Sequence, residues 1–103
     1  MKLLPYICGM KKVFTFNDLH FGPHSMCEAV GRFGVQATLN LPNNITVSVV
    51  GGDGLYGDGV NTFEMAAWHT DTGDWLTLSD HDQVKGYLIK DEVTELIQRL
   101  SSK

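Results

Sequence analysis

Three groups of side chains in this sequence are of types that do chemistry. The first is GGDGLYGDG, residues 51–59, with five glycines and two aspartates in nine positions. A glycine-rich loop cradles phosphate when a helix opens behind it or a Gly-Lys-Ser/Thr follows. Neither signal is present, and Asp53 and Asp58 would repel an anion. Both are hard oxygen ligands of the kind calcium takes. A glycine–aspartate calcium repeat works as a stacked array, however, and the chain holds one copy. The segment reads as a flexible or tightly turned hairpin loop anchored by Tyr56.

The second group is His20, His24 and Cys27. Imidazole and thiolate suit zinc, but Gly22 and Pro23 break any helix that would align the two histidines, and no fourth ligand stands nearby. His69 and His81 are distant in sequence. The third group would be a nucleophile with its base. Cys27 is near His24 yet falls on an apolar stripe, as a buried inert thiol does. Ser48 lies inside a strand pattern, and no Gly-x-Ser-x-Gly occurs. Glu64 with Asp71 or Asp74 could form a carboxylate pair, but any acidic surface offers such pairs. No catalytic residue, metal or cofactor is expected.

Charge is more informative. Residues 33–84 contain no lysine or arginine and seven acids: Asp53, Asp58, Glu64, Asp71, Asp74, Asp80 and Asp82. The chain as a whole stands at −4, so basic flanks partly offset this run. Such a segment repels nucleic acid and attracts basic surfaces. These seven acids, with Tyr56, are the expected partner-binding residues. Their aspartates sit in turns or at expected helix starts, where charge stays hydrated, so they should be exposed, several on a common side.

The elements that must carry these groups follow from periodicity. At 103 residues and 43% hydrophobic content, the chain makes one domain with a sufficient core. Residues 13–16, all β-branched or aromatic, predict a short strand. Met26, Cys27, Val30 and Phe33 fall at helical spacing after Pro23, with Gly34 as a left-handed stop. Val35, Ala37, Leu39 and Leu41 alternate with polar residues and pair through the turn at 42–44 with a β-branched strand from Ile45 to Val50. Residues 63–68 and 75–78 predict a second hairpin, turning with Gly73 in αL and flanked by Trp68 and Trp75. One tryptophan should be partly exposed. Residues 79–82 would cap a short helix over 85–88, and Asp91 a final one with the stripe Val93, Leu96, Ile97, Leu100. Glu95 and Arg99 form an i, i+4 pair. The expected fold is α+β, order β-α-β-β-β-β-α-α: an antiparallel sheet of four to five strands with helices on one face.

The apolar stretch in MKLLPYICGM is six residues long and broken by Pro5, too short for a signal-peptide core or a membrane span. Cys8 and Cys27 are therefore expected as reduced thiols in a cytoplasmic protein. Met10-Lys11-Lys12 resembles a second translation start, leaving residues 1–9 as an extension. In the other reading Leu3, Leu4 and Ile7 pack as an added edge.

LPNNITVSVVGG (41–52), Tyr56-Gly57, Phe63-Glu64-Met65-Ala66 and Val84-Lys85-Gly86-Tyr87-Leu88 together resemble small uncharacterised proteins of phages and prophages, over roughly residues 12 to 100. The resemblance implies an accessory function such as inhibition of host defence, anti-CRISPR proteins included. It assigns no site residues. The leading expectation is a non-enzymatic inhibitor whose acids occupy a basic groove of a host nucleic-acid-binding complex such as CRISPR–Cas, without binding nucleic acid or membrane itself. The alternatives are a generic interaction domain using a sheet edge or the tryptophan hairpin, and a small metal-assisted hydrolase.

Overall fold

The structure is a computed structural model that describes residues 13–78 and 82–103. Five antiparallel strands follow one another as a meander: β1 (Gly22–Pro23), β2 (Gly34–Leu41), β3 (Ile45–Gly52), β4 (Phe63–His69) and β5 (Val84–Leu88). Helix α1 (Ser25–Ala29) joins β1 to β2, and α2 (Lys90–Ser101) follows β5. The class is α+β.

Alternation sets the two faces. Successive side chains of a strand point to opposite sides. The register pairs Leu39 with Val47 and Val47 with Ala67, and pairs Ala37 with Val49 and Val49 with Met65. These odd-numbered positions make one apolar face. Val47, Val49 and Met65 are fully buried there, each burial stabilising the fold by about 1.5–3 kcal/mol. Helix α2 covers that face with its stripe of Val93, Leu96, Ile97 and Leu100, all buried. The helix begins at Ile89 rather than at an Asp91 cap: Asp91 falls in the first turn, and the Ile89 N–H donates to Glu92 Oε1 at 3.0 Å. Glu95 and Arg99 lie 3.9 Å apart on the exposed side.

Three segments differ from the sequence reading. Residues 13–16 are not a strand. A 3-10 turn at Phe16–Asp18 replaces it, held by Asp18 Oδ2 accepting from Thr15 N at 2.8 Å and by Thr94 Oγ1 accepting from Phe16 N at 2.8 Å. The turn drops Phe16 against Phe21 and Phe63, with ring centroids 5.0–5.5 Å apart. Residues 75–78 contribute a single bridge, Trp68 to Trp75, instead of a strand. The fifth strand is β5, over residues read as helix. There is no room for a side chain at Gly86, where a Cβ would stand 2.5 Å from Tyr56 Cβ. That contact is tertiary and fixes the local conformation.

Helix α1 is shorter than its apolar spacing suggests. His24 caps it, Nδ1 accepting from Cys27 N at 3.4 Å. Pro23 lies in β1, and the left-handed glycine after the helix is Gly31 (φ 71°), not Gly34. Cys27 is buried with a free thiol, while Met26, Val30 and Phe33 are exposed. Asn44 and Gly73 take the expected positive φ, 70° and 77°. Among the described residues, no helix is long and apolar enough to cross a membrane. The readings of Cys8, of residues 1–9 and of the cap at 79–81 lie outside the described residues.

Candidate functional site

The meander has two ends. Strand β3 runs from the turn at 42–44 to the glycine loop, eight residues or roughly 23 Å at ~3.3 Å per residue. At the glycine-loop end, backbone lies on backbone. A Cβ on Gly51 would stand 2.5 Å from Gly59 Cα, and one on Gly57 would stand 2.7 Å from the Phe63 backbone. Gly52 N donates to Gly57 O at 2.9 Å, and Gly59 N to Thr62 O at 2.9 Å. The glycines therefore close a tight loop.

Asp58 organises that loop. Its Oδ1 accepts from the N–H groups of Thr62, Val60 and Asn61 at 3.0, 2.8 and 2.8 Å, and its own N–H donates to Thr62 Oγ1 at 2.9 Å. Hydrogen bonds from the Thr62, Val60 and Asn61 backbone lower its pKa from 3.8 to about 2. Glu64 Oε1 accepts from Tyr56 N at 3.0 Å. Thus two of the expected partner-binding acids also hold the loop's own backbone.

The acids do not share one side. Asp53, Asp58 and Glu64 belong to the glycine-loop end. Asp71 and Asp74 belong to the opposite end, where Asp71 Oδ2 accepts from Asn44 Nδ2 and Asp74 O accepts from His69 N at 2.8 Å. Asp53, Asp58, Asp71, Asp74 and Asp82 are exposed, and Glu64 is partly buried. Asp82 precedes strand β5 and so does not start a helix. Asp80 lies outside the described residues.

Exposed apolar surface favours the glycine-loop end. Helix α1 packs there: Gly34 pairs with Gly52, the Phe33 carbonyl accepts from Asp53 N at 2.9 Å, and Cys27 Sγ stands 3.8 Å from Asp53 O. Met26 is 74% exposed and Val30 67%. Phe33, Val60 and Ile89 are exposed at the same end. So are Tyr56 and Tyr87, at 60% and 68%. Their rings lie 6.0 Å apart at 48°, and Tyr87 N donates to Tyr56 O at 2.8 Å. Tyr87 holds φ at 55°, a left-handed conformation uncommon for a bulky residue.

Sequence reasoning found Tyr56 but missed Tyr87, Met26, Val30 and Phe33. The missed signal was length: a five-residue helix stopped by Gly31 cannot turn every residue of an apolar stripe inward.

Other candidate surfaces lie away from that loop, among them Val13, 65% exposed at the turn end. Trp68 and Trp75 pack in a tilted arrangement, ring centroids 5.8 Å apart at 40°, with Trp75 half exposed. Edge strand β1 has two residues, one of them Pro23, and edge strand β5 carries Lys85 and the left-handed Tyr87. Such features blunt an edge against strand addition. A pocket of about 720 Å³ at the turn end is lined by residues that include Phe14, Asn43 and Gln98, none an expected site residue. Among the described residues, no group of three His, Cys, Asp or Glu side chains is placed to hold a metal. No family model, curated protein or solved structure matches this chain.

Proposed function

We propose that this protein is a non-enzymatic binding domain that docks a protein partner on its glycine-loop end. The observation that carries this reading is the gathering of exposed Met26, Val30, Phe33, Tyr56, Val60, Tyr87 and Ile89 at that end. Scattered exposed apolar residues are ordinary, whereas a concentration of them beside polar groups marks an interaction surface. An apolar centre with charged residues around it is the usual anatomy of such an interface. Asp53, Asp58 and Glu64 supply negative charge there, with the Arg32 guanidinium close to the loop at Gly54.

The resemblance to phage and prophage accessory proteins supports a cytoplasmic host protein as the partner. A nucleic-acid-binding defence complex, of which CRISPR–Cas is one kind, offers a basic surface suited to that acidic rim. In this reading recognition is by shape and apolar contact with acids assisting, and not by an extended imitation of a phosphate backbone. The division of the acids between two ends of the sheet favours the former.

Capture from a lysate of host cells, with variants compared, tests the proposal. The Met26→Ser/Phe33→Ser double variant should lose a partner that the wild type captures stoichiometrically, with its thermal melt unchanged. An Asp71→Asn/Asp74→Asn variant should keep it. Retention by the first variant and loss by the second would move the contact surface to the turn end and restore the charge-mimic reading.

A further inference from the structure

We infer that Asp53–Gly54 is a site of spontaneous backbone modification, where Asp53 isomerises to isoaspartate, and that the fold spares Asp58–Gly59 in the same loop. The inference does not depend on what docks at this end.

Aspartate isomerises when the backbone nitrogen of the next residue attacks its side-chain carboxyl. A new N–Cγ bond closes a five-membered succinimide, and the carboxyl hydroxyl leaves as water with the proton of the nitrogen. Water then opens the ring. Attack at the former backbone carbonyl carbon breaks its bond to nitrogen. The main chain then runs through Cβ and Cγ, and the old carbonyl becomes a free carboxylate. One water leaves, one enters, and nothing is oxidised or reduced. The reaction needs an uncrowded nitrogen, a protonated carboxyl and a peptide plane free to rotate. Glycine as the next residue meets the first need. Asp53–Gly54 and Asp58–Gly59 are the two Asp-Gly steps in the chain, and no Asn-Gly step occurs.

The fold treats the two steps differently. Gly59 is clamped. Its N–H donates to Thr62 O at 2.9 Å, and a Cβ on Gly51 would stand 2.5 Å from Gly59 Cα and 2.6 Å from its nitrogen. The Asp58 carboxylate is also occupied, its Oδ1 accepting from the Val60, Asn61 and Thr62 N–H groups at 2.8, 2.8 and 3.0 Å. Hydrogen bonds from the Thr62, Val60 and Asn61 backbone lower its pKa from 3.8 to about 2, which depletes the reactive acid form.

Asp53 and Gly54 sit in the middle of a turn closed by Leu55 N donating to Gly52 O at 3.1 Å. Gly54 takes φ 81°, as the third residue of a type II turn does. Space around it is open: the nearest atom to a Cβ there would be Arg32 Nη1, at 3.9 Å. Asp53 is exposed. Among the described residues, neither its carboxylate nor the Gly54 N–H makes a hydrogen bond or ion pair. The peptide that joins them is tethered by Cys27 Sγ alone, 3.8 Å from Asp53 O. Isomerisation there adds one carbon to the main chain inside the turn and sets a free carboxylate where the thiol meets that oxygen. Asp53 N also donates to Phe33 O at 2.9 Å, so the altered residue is one that ties the loop to the segment after α1.

The test is to incubate the intact chain at about pH 6, where a small fraction of an ordinary carboxyl is protonated. Digestion and mass spectrometry with electron-transfer fragmentation then separate isoaspartate from aspartate at each residue. A species lighter by one water, and then isoaspartate, should accumulate at residue 53. Isoaspartate at 53 should exceed that at 58 by at least about tenfold, since a pKa of about 2 in place of 3.8 lowers the acid form of Asp58 roughly sixtyfold. In guanidinium chloride the two rates should become alike, because both steps then share an unfolded backbone. Asp53→Glu should abolish the product at 53, its ring needing six members, and leave residue 58 unchanged. Comparable isoaspartate at both residues of the folded chain, an excess at Asp58, or no gain at Asp53 while the chain is folded would overturn the inference. The wild-type ratio decides the matter even if Asp53→Glu disturbs the loop.

Discussion

The two ends of the sheet solve the same problem, turning the chain, with different materials. The turn end uses side chains. Thr46 Oγ1 meets Asn40 Oδ1 at 3.0 Å and Thr70 Oγ1 at 2.7 Å, Asn44 bonds Asp71, and Asn43 Nδ2 donates to the Leu100 and Lys103 carbonyls at 2.8 and 3.3 Å. Polar groups there are largely spent on the fold. The glycine-loop end uses backbone: glycines at van der Waals contact, and one aspartate gathering three N–H groups. Asp58, Thr62 and Glu64 brace that backbone, while the side chains of Tyr56 and Val60 stay exposed. Aromatic and aliphatic groups that would otherwise fill a core stand in solvent on a scaffold that holds them still.

The largest expected effect lies under both ends. Leu96→Asp places a carboxylate beneath the apolar sheet face, where Leu96 is buried. It should cost about 3–5 kcal/mol. Amide exchange should then accelerate at both ends together. Independent loss of one end would show that the ends are separate folding units and would break the comparison.

Gly51→Ala should be smaller and one-sided. A Cβ there meets Gly59 Cα at 2.5 Å and Gly59 N at 2.6 Å, both backbone atoms. Overpacking of this kind costs about 2–3 kcal/mol, so the thermal midpoint should fall by about 10–20 °C. Exchange should rise first in residues 51–62 and only later around Asn44. An unchanged melt would mean that the loop is not closed by backbone contact.

Much of this frame was legible in the sequence, and its failures have physical causes. Strands β2, β3 and β4 and helix α2 follow their periodicities because long elements average over many side chains. Phe14 and Phe16 carried a strand signal, but Thr15 and Asp18 cap each other's backbone and the chain turns to pack a partly buried Phe16 against the core. The Thr-x-x-Asp spacing stands in the sequence, but a reading by β-propensity alone does not register it. Strand β5 depends on Gly86 meeting Tyr56 some thirty positions earlier, a contact that a local reading cannot contain. Of the acids expected at the surface, Asp53, Asp58, Asp71, Asp74 and Asp82 are exposed and Glu64 is partly buried. Their division followed from the parity of the meander: two consecutive loops of an antiparallel sheet emerge at opposite ends. That rule was available, and the reading of several acids on a common side did not apply it.

A pH titration sharpens the contrast between structural and free acids. Asp58 has its pKa lowered from 3.8 to about 2 by hydrogen bonds to the Thr62, Val60 and Asn61 backbone. Its folded pKa lies below the unfolded value, so its contribution to stability is present above about pH 4 and is lost as pH falls through about 2. Protection of the Val60, Asn61 and Thr62 amides should weaken across that window in the wild type. In Asp58→Asn the same amides should lose this pH dependence. A titration midpoint for Asp58 near 3.8 would show that its carboxylate does not hold the loop.

The smallest expected effect is the most discriminating. Asp71→Asn/Asp74→Asn should leave the fold intact. The Asp71 oxygen that accepts from Asn44 persists in the amide, and the Asp74 interaction with His69 is made by its backbone carbonyl. Exposed charge pairs contribute only about 0.2–1 kcal/mol each. If docking is confined to the glycine-loop end, neutralising these two acids, roughly one strand length away, should change partner affinity by less than about twofold even at low salt. The Debye length is about 30 Å at 0.01 M and 8 Å at 0.15 M, so any long-range contribution would surface only in the dilute buffer. Asp53→Asn, at the glycine-loop end and without the bracing role of Asp58, should weaken binding by two- to fivefold under the same conditions. Equal losses at the two ends would mean that the partner spans the sheet and reads its total charge. A loss at Asp53 alone would mean that it grips one end.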